Sequence, residues 1–369
     1  MKVLHLTTHL DMGGITIYIL RLAKFLKPLG IETQIFSSGG ALEPLFAKDQ
    51  IPLYIRPVRT KTILQPKLYL QLPYLVRLVR EQKIELLHAH TRAMQVLAFW
   101  VSRLTGIPVV TTCHGFYKPK LGRRLLPAWG QKVIAISEMV QTHLEKDLGV
   151  PAAQIQMIHN GVDVAELDHQ FNQIDTLSAK KKFGFSMDAP VVGIVARMVK
   201  DKGHEYALQA LKILEKDFPR LGLLMAGDGP YRPALETLTQ ELGLTGRVRF
   251  TGTVAEIAEV YRAMDIFVLP ATWREGFGLS MIEAMACRKP IIASDIWALS
   301  QIIQEKETGL LVKAKDSLAL ADTLRRLLQS PEQQSSLGEK ARQKVLRRFT
   351  MERMAREVAG VYRTLTHRQ

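Results

Sequence analysis

The sequence has few cysteines and lacks a long apolar segment. Of its 369 residues, 47% are hydrophobic and 23% are charged, and the two cysteines are Cys113 and Cys287. They lie far apart, without a CxxC pair or a histidine at metal-ligand spacing, which disfavours both a disulfide framework and a zinc site. No apolar run reaches the ~20 residues of a membrane-spanning helix, and residues 1–6 predict a strand instead of a signal peptide. We therefore expect a cytoplasmic protein with two domains.

Acidic residues are scarce between positions 50 and 137. This stretch contains 14 lysines and arginines but only Glu81 and Glu85 as acids, so it carries +12 of the net charge of +15. Such a field favours an anionic partner. Nucleic acid is disfavoured, because the charge is accompanied neither by a helix-turn-helix, zinc-finger or RNP pattern nor by interleaved aromatics. An anionic membrane surface and a phosphorylated acceptor remain, together with the alternative of a solvated basic face.

Residues 118–129 combine cations with apolar side chains inside this basic stretch. Lys118, Lys120, Arg123 and Arg124 are interspersed with leucines and followed by Trp129. This mixture is typical of a segment that lies in a membrane interface. It predicts reversible docking at the inner face of the cytoplasmic membrane, with a basic loop in water as the alternative.

The order of apolar segments predicts an α/β fold with two parallel sheets. Short β-branched runs alternate with amphipathic helices, including one predicted helix over 68–81, and this alternation indicates parallel sheets covered by helices. Residues 163–188 lack clear periodicity and predict an interdomain link. We expect an N-terminal domain over 1–168, a second domain over 169–349, and a helix over 350–369 that crosses back to the first. The predicted strands are 3–7, 33–36, 53–58, 84–88, 109–113, 133–136, 191–195, 221–225, 248–250, 266–269, 291–293 and 309–312.

Glu275 and Glu283 lie eight positions apart at a predicted loop-to-helix junction. At ~1.5 Å of rise per residue, the helix would place Glu283 about two turns below the loop. The two carboxylates would then contact opposite ends of one elongated ligand. Free N–H groups at the helix start, near Gly278 and Leu279, favour a diphosphate between them. The alternative is an amphipathic helix with two solvated glutamates.

Cations and glycines follow other predicted strands. Arg197 and Lys202 come directly after residues 191–195, where a guanidinium and an ammonium are well placed to neutralise a diphosphate, although surface charge is the alternative. Gly13 and Gly14 follow the first strand, where a backbone without side chains allows close approach by a phosphate. A simple tight turn is the alternative there, because the GxGxxG spacing is absent.

Three histidines end two predicted strands of the first half: His88, His90 and His114. An isolated histidine is more often a hydrogen-bonded structural residue than a catalyst. His114 precedes a glycine at the end of a strand, where ligands bind in doubly wound folds. We therefore expect His114, and not the other two, to belong to the site in a cleft between the domains.

Two more glycine-containing turns end predicted strands, Asn160-Gly161-Val162-Asp163 and Gly227-Asp228-Gly229-Pro230. Taken together with the motifs above, they resemble glycosyltransferase family 4 over nearly the whole chain. The resemblance implies the GT-B fold, in which two Rossmann-like domains face each other across a cleft. It also implies a retaining, metal-independent transfer from a nucleotide sugar held mainly by the second domain to an acceptor held mainly by the first. The nucleotide sugar is then a substrate, and no cofactor and no metal are expected. The matching motifs are Gly13-Gly14, His114-Gly115-Phe116, Asn160-Gly161-Val162-Asp163, Arg197 with Lys202-Gly203, Gly227-Asp228-Gly229-Pro230, and Glu275 with Glu283.

The resemblance also implies a role for each site residue. Arg197 and Lys202 would bind the donor diphosphate and stabilise charge on the leaving phosphate, in keeping with the physics of that step. Glu283 would hydrogen-bond the ribose, while Glu275 and His114 would hold the transferred sugar. The glycines and helix amides that would complete the phosphate site are Gly13, Gly14, Gly278 and Leu279.

The expected substrates are a hexose-type nucleotide sugar, with UDP favoured over GDP, and a lipid-linked or cell-envelope glycan such as lipopolysaccharide. The chain departs from the family pattern at Thr16, Arg288 and Trp297-Ala298, where a glutamate, a glycine and a glycine pair are common. These departures leave the acceptor and the shape of the sugar pocket open. Two other functions also stay open: a nucleotide-sugar epimerase or hydrolase on the same fold, and a noncatalytic nucleotide-sugar-binding protein.

Overall fold

A computed structural model describes residues 1–60, 62–119, 121–254, 256–273 and 275–366. The chain forms two compact units, one from Met1–Gly161 with Met351–Gln369 and the other from Val162–Thr350. Each unit contains one parallel sheet with helices, so the predicted α/β fold with two parallel sheets is confirmed. Among the described residues, no helix combines the length and apolar character needed to cross a membrane.

The first unit is built on a seven-stranded parallel sheet. Its strands are β1 (Lys2–Leu6), β2 (Glu32–Ser37), β3 (Leu53–Ile55), β4 (Leu86–Ala89), β5 (Val109–Cys113), β6 (Lys132–Ala135) and β7 (Ile155–Met157). They are arranged in the order β3-β2-β1-β4-β5-β6-β7. The helices are α1 (Gly14–Leu26), α2 (Glu43–Lys48), α3 (Pro66–Tyr69), α4 (Leu72–Glu81), α5 (Arg92–Thr105), α6 (Leu121–Leu125), α7 (Glu138–Thr142) and, from the end of the chain, α17 (Met351–Thr366).

The second unit is built on a six-stranded parallel sheet. Its strands are β8 (Val191–Val195), β9 (Gly222–Ala226), β10 (Val248–Gly252), β11 (Ile266–Leu269), β12 (Ile291–Ser294) and β13 (Leu310–Val312), in the order β10-β9-β8-β11-β12-β13. The helices are α8 (Val164–Asn172), α9 (Thr176–Lys182), α10 (His204–Ile213), α11 (Arg232–Glu241), α12 (Ile257–Ala263), α13 (Leu279–Ala286), α14 (Trp297–Ser300), α15 (Ser317–Leu328) and α16 (Pro331–Arg348).

The strand order places a topological switch point in each sheet. The order runs outward in one direction from β1 and in the other from β4, and the same holds for β8 and β11. Loops that leave such neighbouring strands diverge to opposite sides and open a crevice at the carboxyl edge of the sheet. The loops after β8 and β11 carry Arg197, Lys202 and Glu275, and the loop after β1 carries Gly13.

Residues 163–188 do not form the irregular link that their weak periodicity suggested. They contain α8 and α9, each of which begins at an aspartate cap. The Asp163 carboxylate accepts from the Glu166 amide at 3.1 Å, and the Asp175 carboxylate accepts from the Ser178 amide at 2.8 Å. The predicted boundary at residue 168 therefore falls inside α8, which belongs to the second unit. In the sequence, these helices are marked by the aspartates that cap them and not by a periodic pattern of apolar residues.

The predicted helix over 68–81 is also wrong in its first turns. The chain forms α3 and then α4, with Pro73 in the first turn of α4. A proline inside a continuous helix would remove one N–H donor and clash with the carbonyl four residues earlier. Ending one helix and starting another places Pro73 where its missing N–H is not needed.

Helix α17 completes the core of the first unit. Met354, Val358 and Tyr362 are buried there among apolar side chains that include Ile19 and Leu22 of α1. The last helix of the chain thus packs with residues from its beginning.

Candidate active site

Lys202 and Glu275 form an ion pair in the second unit. Lys202 ends a short 3₁₀ helix after β8, and Glu275 lies in the loop between β11 and α13. The Lys202 ammonium donates to Glu275 Oε2, and the two side chains are only 24% and 13% exposed. The Thr272 amide donates to the Asp201 carbonyl at 2.9 Å, which fastens the two loops together. Two residues that the sequence assigned to one site are therefore in contact.

Gly203 permits this contact between the two loops. It has φ +68°, and a Cβ atom there would lie 1.9 Å from the carbonyl oxygen of Pro270. A left-handed conformation and a close backbone approach both favour glycine. A side chain at this position would push the loop after β8 away from the loop after β11.

Arg197 lies two residues beyond β8, and its side chain is exposed. The turn 227–230 supports the backbone on either side of it, because the Met198 amide donates to the Asp228 carbonyl at 3.0 Å. A Cβ atom on Gly227 would lie 2.2 Å from the Ala196 oxygen, and one on Gly229 would lie 2.3 Å from the Met198 oxygen. These glycines let the turn pack against the segment that carries Arg197.

Helix α13 begins directly after Gly278, which has φ +81°. No acidic side chain lies in its first turn, and no side chain caps it. Its first N–H groups therefore keep their capacity to bind an anion. Because the helix begins at Leu279, Glu283 lies about one turn, or ~6 Å, along it. The expected separation of two turns is wrong.

Glu283 is held by a tyrosine that the sequence did not reveal. Glu283 is 8% exposed and Tyr261 is fully buried on α12. The Tyr261 hydroxyl lies 3.0 Å from Glu283 Oε2 and 3.0 Å from the Ser280 carbonyl, so one proton is shared between two acceptors. In the sequence Tyr261 is one apolar position of an amphipathic helix, and its role depends on how α12 packs.

Gly13 and Gly14 are exposed at the start of α1. Gly13 is the N-terminal cap residue, and no side chain caps the helix. A Cβ atom on either glycine would meet nothing within 4 Å. The first unit therefore does not require glycine here for packing, and the exposed N–H groups remain able to approach a ligand.

His114 follows β5 and keeps part of its surface exposed. Its Nε2 atom lies 3.1 Å from Nδ1 of His90, which is fully buried together with His88. Burial lowers the pKa of His114 to about 3 and lowers the pKa of His88 and His90 well below 6.5, with neighbouring histidines adding to the effect. These imidazoles are therefore neutral near pH 7.

The basic segment 118–129 differs from the sequence prediction in one important respect. Trp129 is only 4% exposed, and the Arg123 guanidinium lies between the Tyr117 ring, at 4.6 Å, and the Trp129 ring, at 4.9 Å. The assignment of Trp129 to an interfacial surface is therefore wrong. Leu125 is 76% exposed. Lys61, Lys120 and the side chain of Arg124 lie outside the described part of the structure.

A cavity of about 560 Å³ opens beside this segment in the first unit. The cations in its wall are Lys118 and Arg123, and Thr91 is polar. The apolar residues in the wall include Phe116 and Leu64. Leu64 is 81% exposed. Within the described residues, Arg123 Nη1 and the Thr91 hydroxyl are buried without a hydrogen-bond partner. Each atom therefore lacks a partner that buried polar groups ordinarily have.

The structure shows the local surroundings of the residues that depart from the family pattern. Arg288 has φ +56°, which is the left-handed conformation that favours glycine, and it is held by a hydrogen bond from its Nε to Glu339 at 2.9 Å. Thr16 is buried in α1, and Trp297 begins α14 with 49% of its surface exposed.

Comparison with known proteins finds matches over most of the chain. The family model described as Glycosyltransferase Family 4 matches residues 12–166, and the model described as Glycosyl transferases group 1 matches residues 175–344. The putative glycosyltransferase EpsD of Bacillus subtilis is 28% identical over 92% of this chain and 91% of its own length. The lipopolysaccharide core biosynthesis mannosyltransferase LpsB of Rhizobium meliloti is 31% identical over 57% of this chain and 60% of its own length. The crystal structure of Anabaena HepE with UDP and glucose matches 99% of this chain and all of that chain, with a TM-score of 0.84 and 22% identity.

Proposed function

Because the chain belongs to the family 4 glycosyltransferases, we propose that it moves a hexose from a UDP-sugar to a lipid-linked or cell-envelope glycan, with retention of the anomeric configuration and without a metal ion. The observation that carries this proposal is the ion pair between Lys202 and Glu275 at the carboxyl edge of the second sheet, where the loop after β8 also carries Arg197. A crevice at that edge is where doubly wound sheets bind their ligands.

In the proposed donor site, Arg197 and Lys202 neutralise the diphosphate. Negative charge grows on the leaving phosphate during transfer, and cations fixed in advance stabilise it without reorganisation. The N–H groups after Gly278 add to this stabilisation. The proposal of transfer without a metal is supported by these two cations and the helix N–H groups, because they can neutralise the diphosphate in place of a metal ion. Full activity after dialysis against EDTA is expected, and activity restored only by Mg²⁺ or Mn²⁺ would refute this part of the proposal.

The remaining acidic residues bind the sugar and the nucleoside. Glu283, held by Tyr261, accepts hydrogen bonds from the ribose hydroxyls. Glu275 contacts a hydroxyl of the transferred sugar while Lys202 fixes its orientation. Retention follows from a front-face route in which the departing phosphate oxygen takes the acceptor proton. The anomeric coupling constant of the product, measured by NMR, tests retention directly.

UDP is the favoured nucleotide. The support is the HepE structure, which shares the fold and is described with UDP and glucose. A ligand that binds only the folded state raises the melting temperature according to its occupancy. Thermal unfolding with UDP, GDP, ADP and CMP at equal concentration should show the largest shift with UDP. A larger shift with GDP would mean that the donor is a GDP-sugar and not a UDP-sugar, while the assignment of the donor-site residues would stand.

The acceptor proposal rests on the cavity beside residues 118–129. Unpaired donors on Arg123 and Thr91, with apolar Phe116 and Leu64 nearby, suit a glycan carried by an anionic lipid. The name of LpsB, which refers to the lipopolysaccharide core, supports a cell-envelope acceptor.

The enzyme is proposed to meet this acceptor at an anionic membrane surface, to which it docks. Basic residues near such a surface gain about 1 kcal/mol each. Co-sedimentation with anionic vesicles at low and high salt should show salt-sensitive binding, weakened by charge reversal at Lys118, Lys120 and Arg124. Arg123 is left unchanged, because it packs between two rings. Equal binding by wild type and variant, or none by either, would favour a soluble acceptor.

Two rival functions are separated by product analysis. A hydrolase or epimerase would release free sugar or an altered UDP-sugar without an acceptor, whereas a binding protein would shift its melting temperature with UDP yet turn nothing over. A transferase releases UDP at a rate that rises with acceptor concentration. Purified protein incubated with UDP-hexoses and membrane lipid extract, followed by chromatography of all sugar products, decides among the three.

A further inference from the structure

Seven polar side chains in the first unit form one hydrogen-bonded series, which we call the histidine chain. It links α1, three neighbouring strands, the loops that follow two of them, and α17. Consecutive members are joined by contacts of 3.5, 2.7, 2.6, 3.4, 2.9 and 3.1 Å. In order, the members are Tyr18, Thr112, His88, Tyr362, His5, His90 and His114.

Each contact in the histidine chain holds one proton. His5, His88 and His90 each use both ring nitrogens, one toward each neighbour. A neutral imidazole has one N–H donor and one acceptor, and a hydroxyl has one proton to donate. These histidines are neutral because burial lowers their pKa, to about 3 for His5. Seven protons serve six contacts, so one proton is left over. Either all protons point toward His114 and its own proton is left over, or the leftover proton belongs to one of the buried hydroxyls, on Tyr18, Thr112 or Tyr362.

The position of the leftover proton decides the direction. On any of the three buried hydroxyls it would meet no acceptor, because their hydrogen-bond partners within the described residues all belong to the histidine chain. A buried donor without an acceptor costs about 1–3 kcal/mol. If all protons point toward His114, the last proton lies on Nδ1 of a residue that is partly exposed. Water or a ligand can accept that proton, so this direction is favoured.

We propose that the histidine chain holds His114 in the tautomer with a proton on Nδ1, so that His114 donates a hydrogen bond to an oxygen of the bound sugar and does not act as a base. This proposal rests on the proposed function, which supplies the sugar. His5, His88, His90 and Tyr362 are positioning residues that act through His114. Helix α17 contributes Tyr362 and is thereby part of the site's hydrogen bonding.

A bound metal is the competing explanation for the buried imidazoles. Ligand atoms of His5, His88 and His90 lie within 4.8 Å of one another. However, His5 Nδ1 and His90 Nε2 are 2.9 Å apart, whereas two nitrogens bound to one tetrahedral zinc at 2.0–2.1 Å would be about 3.3 Å apart. The contact therefore fits a shared proton better than a shared ion.

Direct measurement of the tautomer tests the proposal in the wild-type protein. Nitrogen-15 labelled histidine, observed by long-range proton–nitrogen NMR at pH 7, distinguishes protonated from unprotonated ring nitrogens. The spectrum of His114→Gln identifies the His114 signals by their loss. We expect a protonated Nδ1 and an unprotonated Nε2. A proton on Nε2, or on both nitrogens, would overturn the proposal, and so would altered signals from His5 and His90 upon addition of Zn²⁺ alone.

Tyr362→Phe tests whether the chain acts on turnover. Loss of this hydroxyl removes two links, so we expect mixed tautomers at His114 and a kcat lowered roughly three- to tenfold, with UDP affinity unchanged. Tyr54→Phe is the matched control, because the partly buried Tyr54 hydroxyl donates to Gln34 Oε1 at 3.1 Å outside the chain.

Two outcomes separate the possible failures. A Tyr362→Phe variant with lowered melting temperature but unchanged tautomer and kcat would mean that the chain is only structural, and the proposal would fail. Absence of transfer by the wild type would contradict the proposed function, and the tautomer measurement would still decide the direction of the protons.

Discussion

Replacing Gly203 with alanine is expected to separate the two loops that bring Lys202 and Glu275 together. The left-handed backbone at Gly203 costs a non-glycine residue ~1–2 kcal/mol. In addition, the new Cβ would lie 1.9 Å from the Pro270 carbonyl oxygen. Both groups belong to the backbone or are fixed to it, so this steric clash can be relieved only if the backbone moves. That movement breaks the 2.9 Å hydrogen bond between Thr272 and Asp201, worth ~1 kcal/mol, and loosens the ion pair. The free energy of unfolding should fall by roughly 2–4 kcal/mol.

Gly243 provides a matched control in the same unit. Its φ is +70°, close to the +68° of Gly203, but a Cβ atom there would meet nothing within 4 Å. Gly243→Ala should therefore show the backbone cost alone, ~1–2 kcal/mol. The difference between the two variants isolates the contact between the loops.

Urea unfolding and UDP titration by calorimetry measure the two consequences. We expect Gly203→Ala to be the less stable variant and to bind UDP at least roughly tenfold more weakly, which corresponds to ~1.4 kcal/mol. Gly243→Ala should bind UDP like the wild type. Equal stability of the two variants would refute the argument from the Pro270 contact, and equal UDP affinity would refute the assignment of Lys202 to the donor.

The other predictions concern single groups. Arg197→Ala and Glu283→Ala should each weaken UDP binding by about 1.5–3 kcal/mol, while Arg220→Ala, which removes an exposed cation of the same unit, should not; calorimetry that gives one affinity for all would contradict both assignments. Glu275→Gln should lower kcat more than UDP affinity, and steady-state kinetics with normal turnover would remove Glu275 from the site. Burial holds the pKa of His5 and His114 at about 3, so between about pH 6.5 and 3 the unfolded chain binds more protons than the folded chain. Stability should therefore decrease as the pH falls below ~6.5, by on the order of 1 kcal/mol per buried histidine and pH unit; urea unfolding that is independent of pH between 7 and 5 would contradict their neutral burial.

Local patterns in the sequence determined the fold class, most of the strands and the family. The strands over 191–195 and 266–269 match β8 and β11 because a strand buried on both faces must be apolar throughout. The glycosyltransferase family was predicted from the order of short motifs, and two family models confirmed it. Short helices such as α8 and α9 escaped a search for apolar periodicity because they are defined by their caps.

Only the tertiary structure decided which side chains meet. Lys202 contacts Glu275 because β8 and β11 are neighbours in the sheet, which places the loops after them at one edge. The contact between His5 and Tyr362 joins residues 357 positions apart. Propensity and periodicity describe how a segment folds locally, whereas strand order and helix packing bring distant segments together. For that reason the candidate residues were visible in the sequence, but the ion pair, the tyrosine that holds Glu283 and the hydrogen-bonded series that ends at His114 were not.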